Sequence, residues 1–281
     1  MNALTIDVEG FVESNRQSFH IPQKYIDPQR ENQEIQINTE KVLELLDNTN
    51  TKATIFFVGR IAWDLPELIR KTAQAGHEIG CHNFAHLRIF DTKPSEFKEK
   101  LSAAKKRIED ISGKQVYGFR APDFSITKAS IWALDILKEL GFVYDSSIYP
   151  FGLHDVYGIK DAKPFINKLP NGLIEFPMST STVFGKRVPF GGGGYFRLYP
   201  LFLTKYLIKK MNKLGLPCMF YIHPYEVGPV IPRIKELSAY RSFRHYYNCS
   251  TGYLRLQKIL KAFKFAPTIE VLRGYDEFKT K

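Results

Sequence analysis

The chain has 281 residues, of which 44% are hydrophobic and 25% are charged, and its formal net charge is +11. These proportions are those of ordinary globular proteins, and the length allows one large domain or two small ones with a buried core. Three scattered cysteines without a C-x-x-C pair exclude a disulfide framework and are typical of a reducing compartment.

Short β-branched runs and helical patterns alternate along the first half of the chain. They predict strands over residues 3–8, 52–59, 77–82, 116–122 and 142–147. They predict helices between these strands, over residues 38–48, 65–76, 94–113 and 127–141. An irregular stretch then leads to a predicted strand over 173–179. Beyond it we expect a glycine-rich loop over residues 190–200 and a basic helix over 205–213. A strand over 217–226, a helix over 251–263 and a last strand over 268–272 are expected to follow.

Alternation of this kind, with a right-handed crossover at each step, predicts a mostly parallel sheet. Seven or eight such strands predict an α/β fold, a distorted (β/α) barrel formed by one domain over residues 1–281. The active site of such a barrel lies at the carboxyl ends of its strands. Reactive side chains follow five of the predicted strands, as this requires: Asp7 and Glu9, His82 and His86, Arg120, Asp145, and His223 and Glu226.

Two histidines spaced four apart, His82 and His86, are candidate metal ligands because imidazole is the commonest protein ligand for divalent metals. Catalytic zinc commonly takes three protein ligands, such as two histidines and a carboxylate, and keeps a position for water. Asp7 and Glu9 point the same way from a strand, so one acid can bind the metal and the other can take a proton from the water. A solvated strand end is the alternative interpretation of the two acids.

Five motifs then occur in a family order: TIDVEG, HNFAH, GFRAPDFS, YDSSIYP and YIHPYE, at residues 5–10, 82–86, 118–125, 144–150 and 221–226. With them the chain resembles the polysaccharide deacetylases of carbohydrate esterase family 4, the NodB-homology group. Within that group it is similar to the exopolysaccharide-locus type, whose C-terminal extension would here lie within residues 180–281. The resemblance implies a metal-dependent hydrolase that removes the N-acetyl group from an amino sugar of a polysaccharide or glycan precursor.

The resemblance also implies a role for each matching residue. Asp7 matches the general base, Arg120 the arginine that orients it, and Asp145 the acid that tunes the general-acid histidine, His223. The metal ligands would be Glu9, His82 and His86, and the backbone N–H of Asp123 would help to hold the oxyanion. Zinc is the metal that this ligand set favours, although cobalt or nickel would also bind.

Two positions depart from the family pattern. The more familiar first motif has two adjacent aspartates, whereas this chain has Asp-Val-Glu, which leaves open an exchange of roles between Asp7 and Glu9. Asp123 adds a negative charge beside the expected site.

Four consecutive glycines, Gly191–Gly194, precede the basic helix. Three interpretations stay open: a flexible loop, a backbone surface that approaches a sugar closely, and a phosphate cradle. No lysine follows in the P-loop register, which argues against a nucleoside triphosphate. Tyr195 and Arg197 are candidate substrate contacts, and His154 is interpreted as a surface histidine, with substrate contact as the alternative.

The expected partner is an N-acetylated saccharide or glycan precursor. Basic residues gather at 205–213 and 233–247, which fits a phosphate-bearing substrate or a membrane face, or else a generally basic surface, and no nucleic-acid motif accompanies them. The start of the chain lacks a signal peptide, so we expect a cytoplasmic protein. Two other functions are weighed: metal-independent hydrolysis of a cyclic amide, and an inactive saccharide-binding relative.

Overall fold

The structure is a computed structural model and describes residues 1–152 and 158–275, so His154 lies outside the described residues. The strands are β1 (Asn2–Val8), β2 (Thr54–Phe57), β3 (Glu78–Cys81), β4 (Gly118–Phe119), β5 (Tyr144–Asp145), β6 (Asn167–Lys168), β7 (Ile174–Glu175), β8 (Thr180–Val183), β9 (Lys186–Pro189), β10 (Met219–Ile222) and β11 (Phe265–Ala266). The α-helices are α1 (Phe11–Phe19), α2 (Pro28–Asn48), α3 (Ile61–Asp64), α4 (Pro66–Gln74), α5 (Pro94–Ser112), α6 (Ala133–Glu139), α7 (Gly193–Leu198), α8 (Leu201–Lys213), α9 (Ala239–Tyr246), α10 (Gly252–Leu260) and α11 (Thr268–Gly274).

A single curled sheet carries most of the strands, in the order β10-β1-β2-β3-β4-β5-β7-β6, with β11 paired to the start of β1. Every pairing in it is parallel except that of β6 with β7. Strands β8 and β9 form a separate antiparallel hairpin. The predicted α/β fold is therefore confirmed, as a mostly parallel sheet curled into a half-barrel and covered by helices.

Strand β1 is buried on both faces, and its alternating side chains separate two core layers. Leu4, Ile6 and Val8 belong to the large cluster between the sheet and the helices. Ala3 belongs to a second cluster, with Phe56 among its members. Because side chains alternate along a strand, Asp7 shares the face of Ala3 and points into the barrel.

Two sequence predictions differ from the structure for local reasons. The predicted strand over 268–272 is wrong: the segment is helix α11, which buries Thr268, Val271 and Leu272 at helical spacing despite its β-branched composition. Helix α2 begins at Pro28 rather than at residue 38, because the Asp27 carboxylate caps it and accepts from two backbone N–H groups. Among the described residues, none of the helices has the length and apolarity needed to cross a membrane.

Candidate active site

Glu9, His82 and His86 meet at the carboxyl ends of β1 and β3, where all three are buried. The Glu9 Oε2 atom lies 3.0 Å from the Nε2 atoms of both histidines. His82 donates its Nδ1–H to the carbonyl oxygen of Arg120 at 2.8 Å, which leaves Nε2 as the ring nitrogen that faces Glu9. A hydrogen bond of this kind fixes the tautomer and ring orientation of metal-binding histidines.

The donor set of this cluster fits a divalent cation. Its three ligand atoms all lie within 4.8 Å of one another. Burial opposes charge on Glu9, yet His86, His223 and hydrogen bonds from the histidines hold the pKa of its carboxyl well below the usual value. Glu9 in turn raises the pKa of His86 to about 10 against the effect of burial. Two imidazoles and an ionised carboxylate converging in a dry site are the ligands of many catalytic zinc centres.

Asp7 lies next to this cluster and is tied to Arg120, which has no exposed surface. The Arg120 Nη1 atom donates to Asp7 Oδ1 at 2.7 Å and to Thr5 Oγ1 at 2.6 Å. The other side of the guanidinium donates to the backbone oxygen and the hydroxyl of Ser146. Arginine offers several donors in a fixed plane, so the arrangement holds one oxygen of Asp7 in a defined direction.

His223, which follows β10, closes the other side of the site. Its Nε2 atom lies 3.4 Å from Glu9 Oε1. Its Nδ1–H donates to Glu226 Oε2 at 3.0 Å, and its backbone N–H donates to the same oxygen at 2.9 Å. Burial lowers the pKa of His223, but Glu9 and Glu226 outweigh it and raise that pKa to about 9.

A buried arginine completes this arrangement behind Glu226. The Arg197 Nε atom donates to Glu226 Oε1 at 2.6 Å. Its Nη1 atom donates to the carbonyl oxygens of Arg244 and His245, at 3.0 and 2.8 Å. Although burial raises the pKa of Glu226, Arg197 and His223 lower it to about 2. Arg197 is only 4% exposed and its guanidinium bonds to Glu226 and to the end of α9, so these contacts oppose its predicted role as a substrate contact.

Asp145 has other partners than the resemblance implies. Its carboxylate accepts from the hydroxyl and the backbone N–H of Ser147 and lies against Glu175. Burial raises the pKa of both carboxyls, and the pair shares a hydrogen bond that needs one proton. The carboxylate that accepts from the Nδ1–H of His223 is that of Glu226.

Asp123 begins the loop after β4, where its backbone φ of 53° and that of 49° at Phe124 are left-handed. Such angles are rare for residues other than glycine and indicate a backbone held by its surroundings. The Asp123 carboxylate accepts from Arg88 Nε at 2.7 Å, and Arg88 Nη2 donates to Ser18 Oγ, also at 2.7 Å. The added charge is therefore paired with that of Arg88.

Three of the four glycines, Gly191–Gly193, pack against β10. The Tyr221 backbone N–H donates to the Gly191 oxygen at 2.7 Å, and Gly192 forms a parallel bridge with Tyr221. A Cβ atom on Gly192, whose φ is 126°, would lie 1.8 Å from the Tyr221 carbonyl oxygen. These contacts give Gly191–Gly193 a role in close packing and oppose the flexible-loop interpretation, while contact of the run with a sugar or a phosphate stays a prediction. Tyr195 is half-buried against the second core cluster, with its ring 5.9 Å from that of Tyr199.

Sequence reasoning missed the roles of Glu226 and Arg88. Glu226 stands three residues after His223, a spacing at which a side chain reaches back to the backbone N–H at the start of a helical turn. That signal was present in YIHPYE. Arg88 and Asp123 are far apart in the chain, and nothing local pairs them.

The sheet is curled and mostly parallel, and this cluster lies at its carboxyl edge. Residues 31–144 match the family model described as polysaccharide deacetylase, and residues 146–273 match a domain of unknown function, DUF3473. Over residues 31–144 the chain is therefore similar to the polysaccharide deacetylases of carbohydrate esterase family 4, the NodB-homology group.

Individual relatives agree with this assignment. A chitooligosaccharide deacetylase from Azorhizobium caulinodans is 38% identical over 85 residues, which are 30% of this chain and 40% of that protein. The chain thus spans less than half the length of the curated relatives that it matches first.

Two solved structures show the shared fold. A Mycobacterium smegmatis protein classed as a polysaccharide deacetylase superimposes with a TM-score of 0.65 at 18% identity, over 99% of this chain and 91% of that one. The PuuE allantoinase superimposes with a TM-score of 0.62 at 13% identity, over 99% and 90%.

Proposed function

We propose that the protein is a metal-dependent N-deacetylase that hydrolyses the acetamide of an N-acetylated amino sugar in a saccharide or glycan precursor. The observation that carries the proposal is the position of Glu9 Oε2, 3.0 Å from two imidazole Nε2 atoms. The tautomer of His82, which leaves Nε2 facing Glu9, and the burial of Glu9 both favour metal ligation over a simple ion pair.

Glu9, His82 and His86 would hold the metal, and zinc is the ion that their chemistry suits best. When bound, it would supply Lewis acidity and lower the pKa of water toward neutrality. Asp7 is separate from these ligands and tied to Arg120, which supports Glu9 as the ligand and Asp7 as the base.

The residues of the chain then divide the proton transfers. Asp7 takes the proton from the attacking water, and Arg120 keeps its carboxylate oriented. The N–H of Asp123 would hydrogen-bond the oxygen that becomes negative at the acetyl carbon. His223, held protonated by Glu226, gives a proton to the departing amine, so that the C–N bond breaks and acetate and a free amino sugar result.

Acetate release tests the proposal directly. Purified protein would be incubated with a panel of N-acetylated glucosamine oligomers, with and without a chelator, and its metal content measured. We expect zinc near one ion per chain and acetate release that the chelator abolishes and added zinc restores. Release that survives chelation would contradict the metal dependence, and metal binding without release would favour an inactive saccharide-binding protein.

Glu9→Gln is the variant that isolates the ligand role. It removes the charge at nearly constant volume and should lose metal while the chain stays folded. Glu40→Gln is its matched control, because the Glu40 carboxylate pairs on the surface with Lys71. A cytoplasmic location stays a prediction of the sequence.

A further inference from the structure

The surface formed by helix α8 and the tip of the β8–β9 hairpin combines exposed apolar side chains with lysines. We call it the α8 face and define it by residues Phe184, Lys186, Phe202, Lys205, Tyr206, Lys209, Lys213 and Leu214. Phe184 is 100% exposed, Phe202 75%, Leu214 65% and Tyr206 58%. Large exposed apolar side chains gathered on one surface mark an interaction site.

The members of the α8 face on the helix share one side of it. Phe202, Tyr206, Lys209 and Lys213 follow one another at intervals of three or four residues, which places them along a single stripe. Thr204, Leu207, Ile208 and Met211 are buried on the opposite side. The helix is therefore amphipathic in the usual sense, but its outward side carries aromatic rings as well as charges.

The hairpin is fixed beside this helix. Lys210 Nζ donates to the carbonyl oxygen of Thr182 at 2.5 Å, which joins α8 to β8. Arg187 donates to the carbonyl oxygens of Pro150 and Lys160, at 3.0 and 3.3 Å, so the base of the hairpin is also held. Its tip projects Phe184 into solvent.

Phe184 occupies its position at a double cost. Its φ is 46° and that of Gly185 is 73°, as in the tight turns of two-residue hairpins. Left-handed angles are unfavourable for a bulky residue, and full exposure forgoes burial of an aromatic ring. A partner that covers the ring would account for its presence there.

The charge of the α8 face is entirely of one sign. Residues 176–225 contain no aspartate or glutamate, whereas they contain five lysines and two arginines. The partner must therefore be anionic and must also accept apolar side chains that protrude from the surface. A bilayer with anionic headgroups meets both requirements, because aromatic and leucine side chains enter the headgroup region while lysines contact the phosphates.

We propose that the α8 face docks the protein peripherally on an anionic lipid surface. The position of α8 gives this docking a consequence for the proposed site. The helix begins four residues after Arg197, which lies behind His223, and the next strand, β10, runs back toward the site. The Phe202 end of the docking surface is thus the end nearest the catalytic groups.

Co-sedimentation with vesicles tests the docking without any need for metal or deacetylation. We expect the protein to sediment with equimolar phosphatidylcholine and phosphatidylglycerol vesicles, not with phosphatidylcholine alone, and less as salt rises. Lys209→Glu with Lys213→Glu should weaken binding by more than tenfold, since each basic residue at such a surface contributes about fivefold. Phe184→Ser with Phe202→Ser should also weaken vesicle binding, because the two substitutions remove the aromatic rings that would enter the headgroup region.

Matched controls lie elsewhere on the surface. Lys106→Glu with Lys138→Glu reverses two exposed charges on α5 and α6, and Ile131→Ser removes an exposed apolar side chain. These variants should bind vesicles as the wild type does, and all variants should keep their acetate release on soluble oligomers and their far-UV circular dichroism.

Three results would overturn the proposal. The first is a wild-type protein that stays in solution with the anionic vesicles, and the second is undiminished sedimentation of both α8-face variants. The third is binding that needs the lysines but not the two phenylalanines and is competed by heparin, because that pattern would assign the surface to a soluble polyanion. Vesicle binding and acetate release are separate measurements, so failure of one leaves the other interpretable.

Discussion

Replacing Glu226 by glutamine tests whether the contact between Glu226 and His223 controls the general acid. In the wild type, Glu226 accepts two hydrogen bonds from His223 and one from Arg197. The glutamine keeps the volume and one oxygen, but it removes the charge and turns an NH2 group toward a donor. The ring of His223 then loses both its orientation and the carboxylate that favours its protonated form.

The size of the effect follows from the two roles of Glu226. General-acid catalysis contributes about 10²–10⁴-fold, which sets the loss expected for His223→Ala. A residue that orients another catalytic group contributes less, on the order of 10–100-fold, and we expect this loss in kcat with KM nearly unchanged. Breaking the buried pair with Arg197 costs about 3–5 kcal/mol at most, and the carbonyl partners of Arg197 reduce that cost.

The pH profile of acetate release gives the sharper readout. Glu226 raises the pKa of His223, so the protonated ring persists to higher pH and is lost as pH rises through that value. The alkaline limb of the Glu226→Gln variant should therefore move to lower pH, while its melting temperature reports any loss of stability separately.

Asp145→Asn is the control that can refute this reasoning. The family resemblance implies that Asp145 tunes His223, whereas the structure pairs it with Ser147 and Glu175. We expect Asp145→Asn to leave the alkaline limb in place. If Asp145→Asn moved that limb and Glu226→Gln did not, the contact seen in the structure would not be the one that governs the general acid.

Three further predictions concern the fold and the metal. Gly192→Ala should prevent folding or lower the free energy of unfolding in urea by several kcal/mol, because its Cβ would meet the Tyr221 backbone. In Gly194→Ala the new Cβ would lie 3.8 Å from the nearest atom, so this control should change stability by less than about 1 kcal/mol. Burial, Lys52 and Lys114 lower the pKa of His77 from 6.5 to about 4, so its contribution to stability is complete above pH 6.5 and falls by about 2 kcal/mol near pH 5. His77→Asn should flatten that part of the pH dependence of the unfolding free energy. Glu9→Gln should reduce bound zinc by at least tenfold in metal analysis, and equal zinc in variant and wild type would contradict its role as a ligand.

The sheet was predictable because its signal is local. Runs such as TIFF and the residues after them fix both the strand and its carboxyl end, and parallel strands bring those ends to one edge. The strand pattern thus brings His82 and His86 near both Asp7 and Glu9, and the family resemblance implies Glu9 as the ligand. His82 directly follows β3, and His86 lies four residues further along the chain.

The contacts that escaped prediction join distant parts of the chain or depend on fine steric fit. Arg197 and Glu226 are separated by a helix and a strand, and an arginine beside glycines is equally typical of a ligand site. A run of glycines in a sequence does not indicate whether it faces solvent or a neighbouring strand. In the structure, β10 lies too close to Gly191–Gly193 to leave room for side chains there. Helix α1 was missed because its first N–H groups bond to the carboxylates of Glu31 and Glu34, which lie in α2.

The candidate site takes residues from both segments that match family models, so the second half of the chain contributes to it directly. Glu9 precedes the first matched segment, His82 and His86 lie within it, and His223 lies in the segment of unknown function. Strand β10, which carries His223 at its end, pairs with β1 along Ala3–Ile6, next to the strand end that carries Glu9. The second segment therefore supplies the strand beside β1, the candidate general acid and the Arg197–Glu226 pair behind it. Because that pair is anchored to α9, variation in the segment can alter the general acid without any change to the metal ligands.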